Sequence, residues 1–142
     1  MASLHVEGMN EMVHALAKAD LFDEEMKKEL LYAAGDIMVR ELWEWIRTSG
    51  FNFAGYKNKI KYSKKIKWDK NGLPYITVTV SGKNENGVRR AVIVFVMNYG
   101  RSKEYGQITG TYFWTRGSEA AAQKIKQEFE KIINQRLQER GL

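Results

Sequence analysis

Val88 to Trp114 reads VRRAVIVFVMNYGRSKEYGQITGTYFW, and its interpretation decides the architecture of the whole chain. Ala91 to Met97 is an unbroken apolar run, AVIVFVM, β-branched at four of its seven positions. Such a run predicts a strand covered on both faces, in the middle of a sheet. From Asn98 onward the composition changes to a glycine-spaced, aromatic and basic segment that no core requires. A rigid strand delivering a loop of this kind is a common arrangement for binding.

Working outward, the two preceding stretches look like partner strands. Asn58 to Trp68 alternates, placing Ile60, Tyr62, Ile66 and Trp68 on one face and Lys59, Lys61, Lys65 and Lys67 on the other, with Lys64 interrupting the apolar side. Pro74 to Ser81 alternates Ile76, Val78 and Val80 against Tyr75, Thr77 and Thr79. Asp69-Lys70-Asn71-Gly72 and the polar Gly82–Gly87 segment are turn signals. Connections this short favour an antiparallel meander, with Val88–Asn98 as its third strand. Gly106–Trp114 reads equally well as a fourth strand or as loop.

Helices flank this sheet. A short one is expected over Gly8–Ala19. A long one is expected from Asp23 to Thr48, with Asp20 or Asp23 as N-cap and acids in its first turn. Ala33, Ala34 and Gly35 would let it approach the sheet closely. A last helix is expected from Ser118, as cap, to Arg140, with Ala122, Ile125, Phe129, Ile132, Ile133 and Leu137 inward. The expected fold is a single α+β domain over residues 1–142. A three- or four-stranded antiparallel sheet is packed on one face by the long and last helices, with the short first helix beside them.

The chain has 142 residues and no cysteine, which rules out disulfides and thiolate metal sites. No apolar run approaches the roughly twenty residues a membrane-spanning helix needs, and the opening segment does not read as a signal peptide. The net charge of +6 is concentrated in one place. Residues 57–70 hold seven lysines and one aspartate, and the rest of the chain is neutral. Lys57, Lys59, Lys61, Lys64, Lys65 and Lys67, interleaved with Tyr56, Tyr62 and Trp68, form a candidate face for a polyanion or an acidic partner. The same lysines would also suit a solvated outer strand protected from unwanted pairing.

Catalytic chemistry finds no footing. His5 and His14, nine residues apart, are not aligned by a helical repeat as metal ligands. There is no nucleophile turn and no phosphate-cradling glycine loop. Glu41 and Glu44 lie on a charged helix, where such pairs are ordinarily solvated. No enzyme, metal or cofactor is expected.

Four strings carry a family resemblance. His5-Val6-Glu7-Gly8-Met9-Asn10-Glu11-Met12 resembles a VEGL start followed by a short helix. Ala33 to Val39 falls where an alanine-rich long helix belongs. Ala54 to Ile60 resembles a DTG-x-L-R-x-S-I lead-in to the first strand, and Phe95 to Lys103 resembles YY-V-E-F-G-T-S-K. Tyr112-Phe113-Trp114 stands in the place of a PFLRPA preceding the last helix. Together these strings resemble the gene-product-ten-like minor tail components of tailed bacteriophages of the HK-ninety-seven type, which include tail-completion and head–tail joining (neck) proteins. Phe53-Ala54, Asn98 and Tyr99 depart from the pattern at its Asp-Thr, Glu and Phe.

The resemblance implies a structural virion protein made in the host cytoplasm. It would oligomerise as a ring and meet connector or head-completion proteins on one side and tail-tube or tail-terminator proteins on the other. It makes Tyr99, Gly100, Arg101, Ser102, Lys103, Tyr105, Tyr112, Phe113 and Trp114 the candidate assembly loop, mobile until assembly. It also gives the lysine face a use, contact with DNA in the ring lumen. A small basic nucleic-acid-binding domain built on residues 57–67 is the alternative from another functional class.

Overall fold

A computed structural model describes residues 2–3, 23–139 and 141. The expected Gly8–Ala19 helix, both histidines and the VEGL-like start lie outside the described residues. In chain order the elements are β1 (Ala2–Ser3), α1 (Glu24–Arg47), β2 (Ile60–Tyr62), β3 (Lys67–Trp68), β4 (Pro74–Tyr75), β5 (Thr77–Val80), α2 (Arg90–Tyr99), β6 (Gly100–Arg101), a 3-10 turn at Lys103–Tyr105, β7 (Ile108–Thr109) and α3 (Phe113–Glu139).

The long first helix forms as expected. Asp23 is its N-cap, its carboxylate accepting from the Met26 N–H at 2.8 Å, and Glu24 and Glu25 face the positive end of the dipole. Met26, Leu30, Ala34, Met38, Leu42 and Ile46 recur at helical spacing and are buried. α3 lies antiparallel beside α1. Lys124 pairs with Glu41 at 2.6 Å and Arg136 with Glu29 at 2.6 Å, which fixes the direction. These exposed pairs add little energy. The joining force is the shared apolar seam, where Ala121, Ile125 and Phe129 enter the same core as α1.

Pro74–Ser81 is not one strand, since Pro74–Tyr75 pairs with β3 and Thr77–Val80 with β1 and β2, and the strand expectations are corrected in two further places. First, Ala91–Met97 is not a strand but the body of the ten-residue helix α2. Its buried residues, Ala91, Val94 and Asn98, are spaced at three and four and share one helical face. The sheet's third strand is instead β1, pairing Ala2 with Val78 and Ser3 with Thr77. The order is β1-β5-β2, all antiparallel, and not a meander. Second, Asn58–Trp68 is not one strand. Ser63 accepts from the Lys65 N–H through its side chain at 3.3 Å, a local bond that competes with the ladder and bends the chain. β3 and β4 then pair as a separate outer hairpin, and Trp68 is exposed instead of sharing a face with buried Ile60.

Both turn signals are realised. The Asp69 carboxylate accepts from the Asn71 and Leu73 N–H groups, and the Asn84 amide oxygen from those of Asn86 and Val88. Gly106–Trp114 contributes only the two-residue β7, paired with β6. The last helix begins at Phe113, five residues before the expected cap.

Gly35 brings helix and sheet together as its sequence context suggests. A Cβ there would lie 2.7–2.8 Å from three ring carbons of Tyr62 on β2. Burial, and then a hydrogen bond to Asp36, hold the Tyr62 phenol above its ordinary pKa, so it stays a protonated donor. Gly35→Ala gains about 1 kcal/mol of helix propensity, yet the overlap falls on the root of a packed ring and costs more. A net loss of about 1–2 kcal/mol is expected in urea unfolding, and it should shrink on a Tyr62→Ala background. A neutral or stabilising Gly35→Ala would show that helix and sheet do not touch there.

Candidate assembly surface

α2 carries two apolar faces, and only one of them is covered. Ala91, Val94 and Asn98 face the core, while Val92, Phe95 and Tyr99 are about half exposed (48%, 52% and 52%). Val88, just before the helix, continues the outer row, so the exposed residues fall at i, i+4, i+7 and i+11, one stripe of a helix. The Phe95 and Tyr99 ring centroids are 4.8 Å apart, and Tyr112 stands edge-on to Tyr99 at 6.0 Å. The result is a continuous aromatic ridge rather than scattered apolar residues. Below it, Phe95, Asn98, Tyr99, Trp114 and Ser118 border an open cleft of about 350 Å³ between α2 and the start of α3.

The loop beyond the ridge is built on close backbone crossing. Gly100 has φ 83°, and a Cβ there would sit 2.5 Å from the Ile108 carbonyl oxygen. A Cβ on Gly110 would lie 2.4 Å from the Tyr99 carbonyl carbon and 2.5 Å from the Asn98 oxygen. Only glycine fits either position. The Arg101 Nε donates to the Gly106 carbonyl at 2.6 Å, closing the β6–β7 hairpin from within. At its tip Tyr105 is 73% exposed, beside exposed Ser102 and Lys103.

Asn98 is the residue that sequence reasoning passed over. It is 1% exposed, and its side-chain oxygen accepts from the Trp114 N–H at 2.9 Å and the Thr115 N–H at 3.3 Å. Its amide donates to the Thr115 hydroxyl at 3.0 Å, and its backbone oxygen accepts from the Tyr112 N–H at 3.0 Å. It therefore caps the first turn of α3 from another element of the chain. Tyr112, just before α3, is held at φ 55°, a conformation that costs a tyrosine about 1–2 kcal/mol.

Of the nine candidate assembly residues, Tyr99 to Lys103 with Tyr105 form the C-terminal end of the ridge and its hairpin, and Tyr112 joins them. Phe113 does not. It is 2% exposed, with its ring 5.4 Å from Phe53 and 6.1 Å from Phe51, and so it belongs to the core. Trp114 is half-buried along the cleft. The candidate lysine face is also divided. Lys57, Lys61 and Lys64 border a groove beside α1, whereas Lys65 and Lys67 follow the bend towards the outer hairpin. Lys59 is half-buried in the turn before β2.

Among the described residues no group of three or more acidic or histidine side chains converges as a metal site, and no helix is long and apolar enough to cross a membrane. Comparison with protein-family models, curated proteins and solved structures finds no match to the chain.

Proposed function

We propose that this chain is a structural subunit that assembles through the α2 ridge and the β6–β7 hairpin, and that it serves as a head–tail joining or tail-completion protein of a tailed bacteriophage. The carrying observation is the exposed apolar ridge of Val92 with the ring row Phe95, Tyr99 and Tyr112. Exposed aromatics clustered in a contiguous patch are what the centre of a protein interface is made of. Its occupant in this reading is a neighbouring copy of the chain. One surface meets a different surface on the next copy, so the contact closes into a ring. The string that resembles the tail-component family, Phe95 to Lys103, runs from this ridge into the hairpin. That coincidence favours a virion role over a generic oligomer, with connector and tail proteins as the further neighbours and no enzymatic step.

The double variant Val92→Asp/Phe95→Asp removes no core contact and should leave the circular dichroism spectrum unchanged. Supplied in trans to a phage lacking the chain, it should yield unjoined heads and tails in negative-stain images, where the parent restores complete particles. Complete particles with the variant would sink the proposal.

A further inference from the structure

A second feature lies on another part of the molecule and does not depend on the assembly reading. Residues 57–64 run past the middle of α1, and between them is an open groove of about 480 Å³. Lys57, Lys61 and Lys64 border it from the strand side and Arg40 from the helix, with Trp43 and Tyr62 in its wall. Four cations elsewhere are matched, Lys27 by Glu24, Arg47 by Glu44, Lys124 by Glu41 and Arg136 by Glu25 and Glu29. Arg40, Lys57, Lys61 and Lys64 have no ion pair among the described residues. The one carboxylate bordering the groove is Asp36.

We infer that this groove binds a single-stranded nucleic acid, its phosphates on the four cations and a base against the indole of Trp43. Two observations select that ligand class. Cations stand on both walls, so a polyanion entering the groove is contacted from either side. An aromatic wall between them suits a chain of planar bases, which stack with little regard to sequence, better than it suits an acidic peptide.

The test is fluorescence anisotropy of a labelled oligothymidylate, titrated at several salt concentrations. The parent should bind at low salt. Lys57→Gln/Lys61→Gln/Lys64→Gln should weaken binding at least about tenfold and lower the slope of log affinity against log salt by about 2, three phosphate contacts at roughly 0.7 each. The equally charged control Lys65→Gln/Lys67→Gln/Lys70→Gln should stay within about threefold of the parent. All six lysines are exposed, so both variants should fold. Arg40→Gln, from the opposite wall, supplies an independent reading and should weaken binding severalfold. The ridge variant Val92→Asp/Phe95→Asp should bind as the parent does, which separates this site from assembly. No parental binding at low salt would overturn the inference. So would equal losses in the groove and control variants, or displacement by polyglutamate as effective as by unlabelled oligonucleotide.

Discussion

Phe113→Ala is expected to lower the unfolding free energy by about 3–5 kcal/mol, the usual cost of emptying a large aromatic from a packed core. Tyr112→Ala, one residue earlier, is expected to cost about 1 kcal/mol or less. The contrast follows from geometry. Phe113 is the first residue of α3, 2% exposed, and its ring closes a cluster with Phe51 and Phe53. Those two phenylalanines lie in the irregular segment after α1, so the cluster ties that segment to the start of α3. The Tyr112 side chain is exposed, its ring standing against Tyr99 of the ridge. Urea unfolding followed by circular dichroism resolves a difference of this size. Two similar losses would place Phe113 on the surface with its neighbour and remove the distinction between core and ridge.

Asn98→Ala is expected to cost about 2–4 kcal/mol, more than an ordinary cap. The excess arises from burial. The Trp114 and Thr115 N–H groups would lose their acceptor where water has little access, and the full desolvation penalty then applies. Asn98→Asp keeps the acceptor at the positive end of the helix dipole, and the Thr115 hydroxyl can turn to donate to it. Aspartate should therefore cost less than half of what alanine does. If alanine and aspartate were equally destabilising, the size of the side chain and not its acceptor would be what α3 depends on.

The sequence was most legible where a signal is local. α1 has one apolar stripe, a side-chain cap three residues from the N–H it serves and a charged outer face, so periodicity and capping agree. Asp69 and Asn84 each build a turn from their own side chain, and both turns formed where expected. The α2 stretch misled for a physical reason. A strand buried on two faces and a helix with one buried and one uncovered apolar face both read as continuous hydrophobicity, and period is lost in either case. The signal that distinguishes them was Asn98, a single polar residue one turn beyond Val94, in line with Ala91 on the buried face. The start of α3 was hidden differently. Its cap lies 16 residues upstream of the N–H it receives, and no inspection of neighbouring residues would reveal that. The groove beside α1 was half visible. Its lysines stood out, while Arg40 and Trp43 reach it only because Gly35 lets the helix lie close against β2.

The Asn98 clasp also has a mechanical side. Two helices joined by the hairpin segment of residues 100–112 would ordinarily be free to hinge, and a pull on one would be absorbed by the connection. Here the end of α2 is fastened by three hydrogen bonds to the first turn of α3 and by a fourth to Tyr112 just before it. A load applied at the aromatic ridge therefore bypasses the hairpin and enters a strut of 27 residues, roughly 40 Å long. The strut is braced along its length by α1, so strain at one end of the molecule is shared by its whole helical layer.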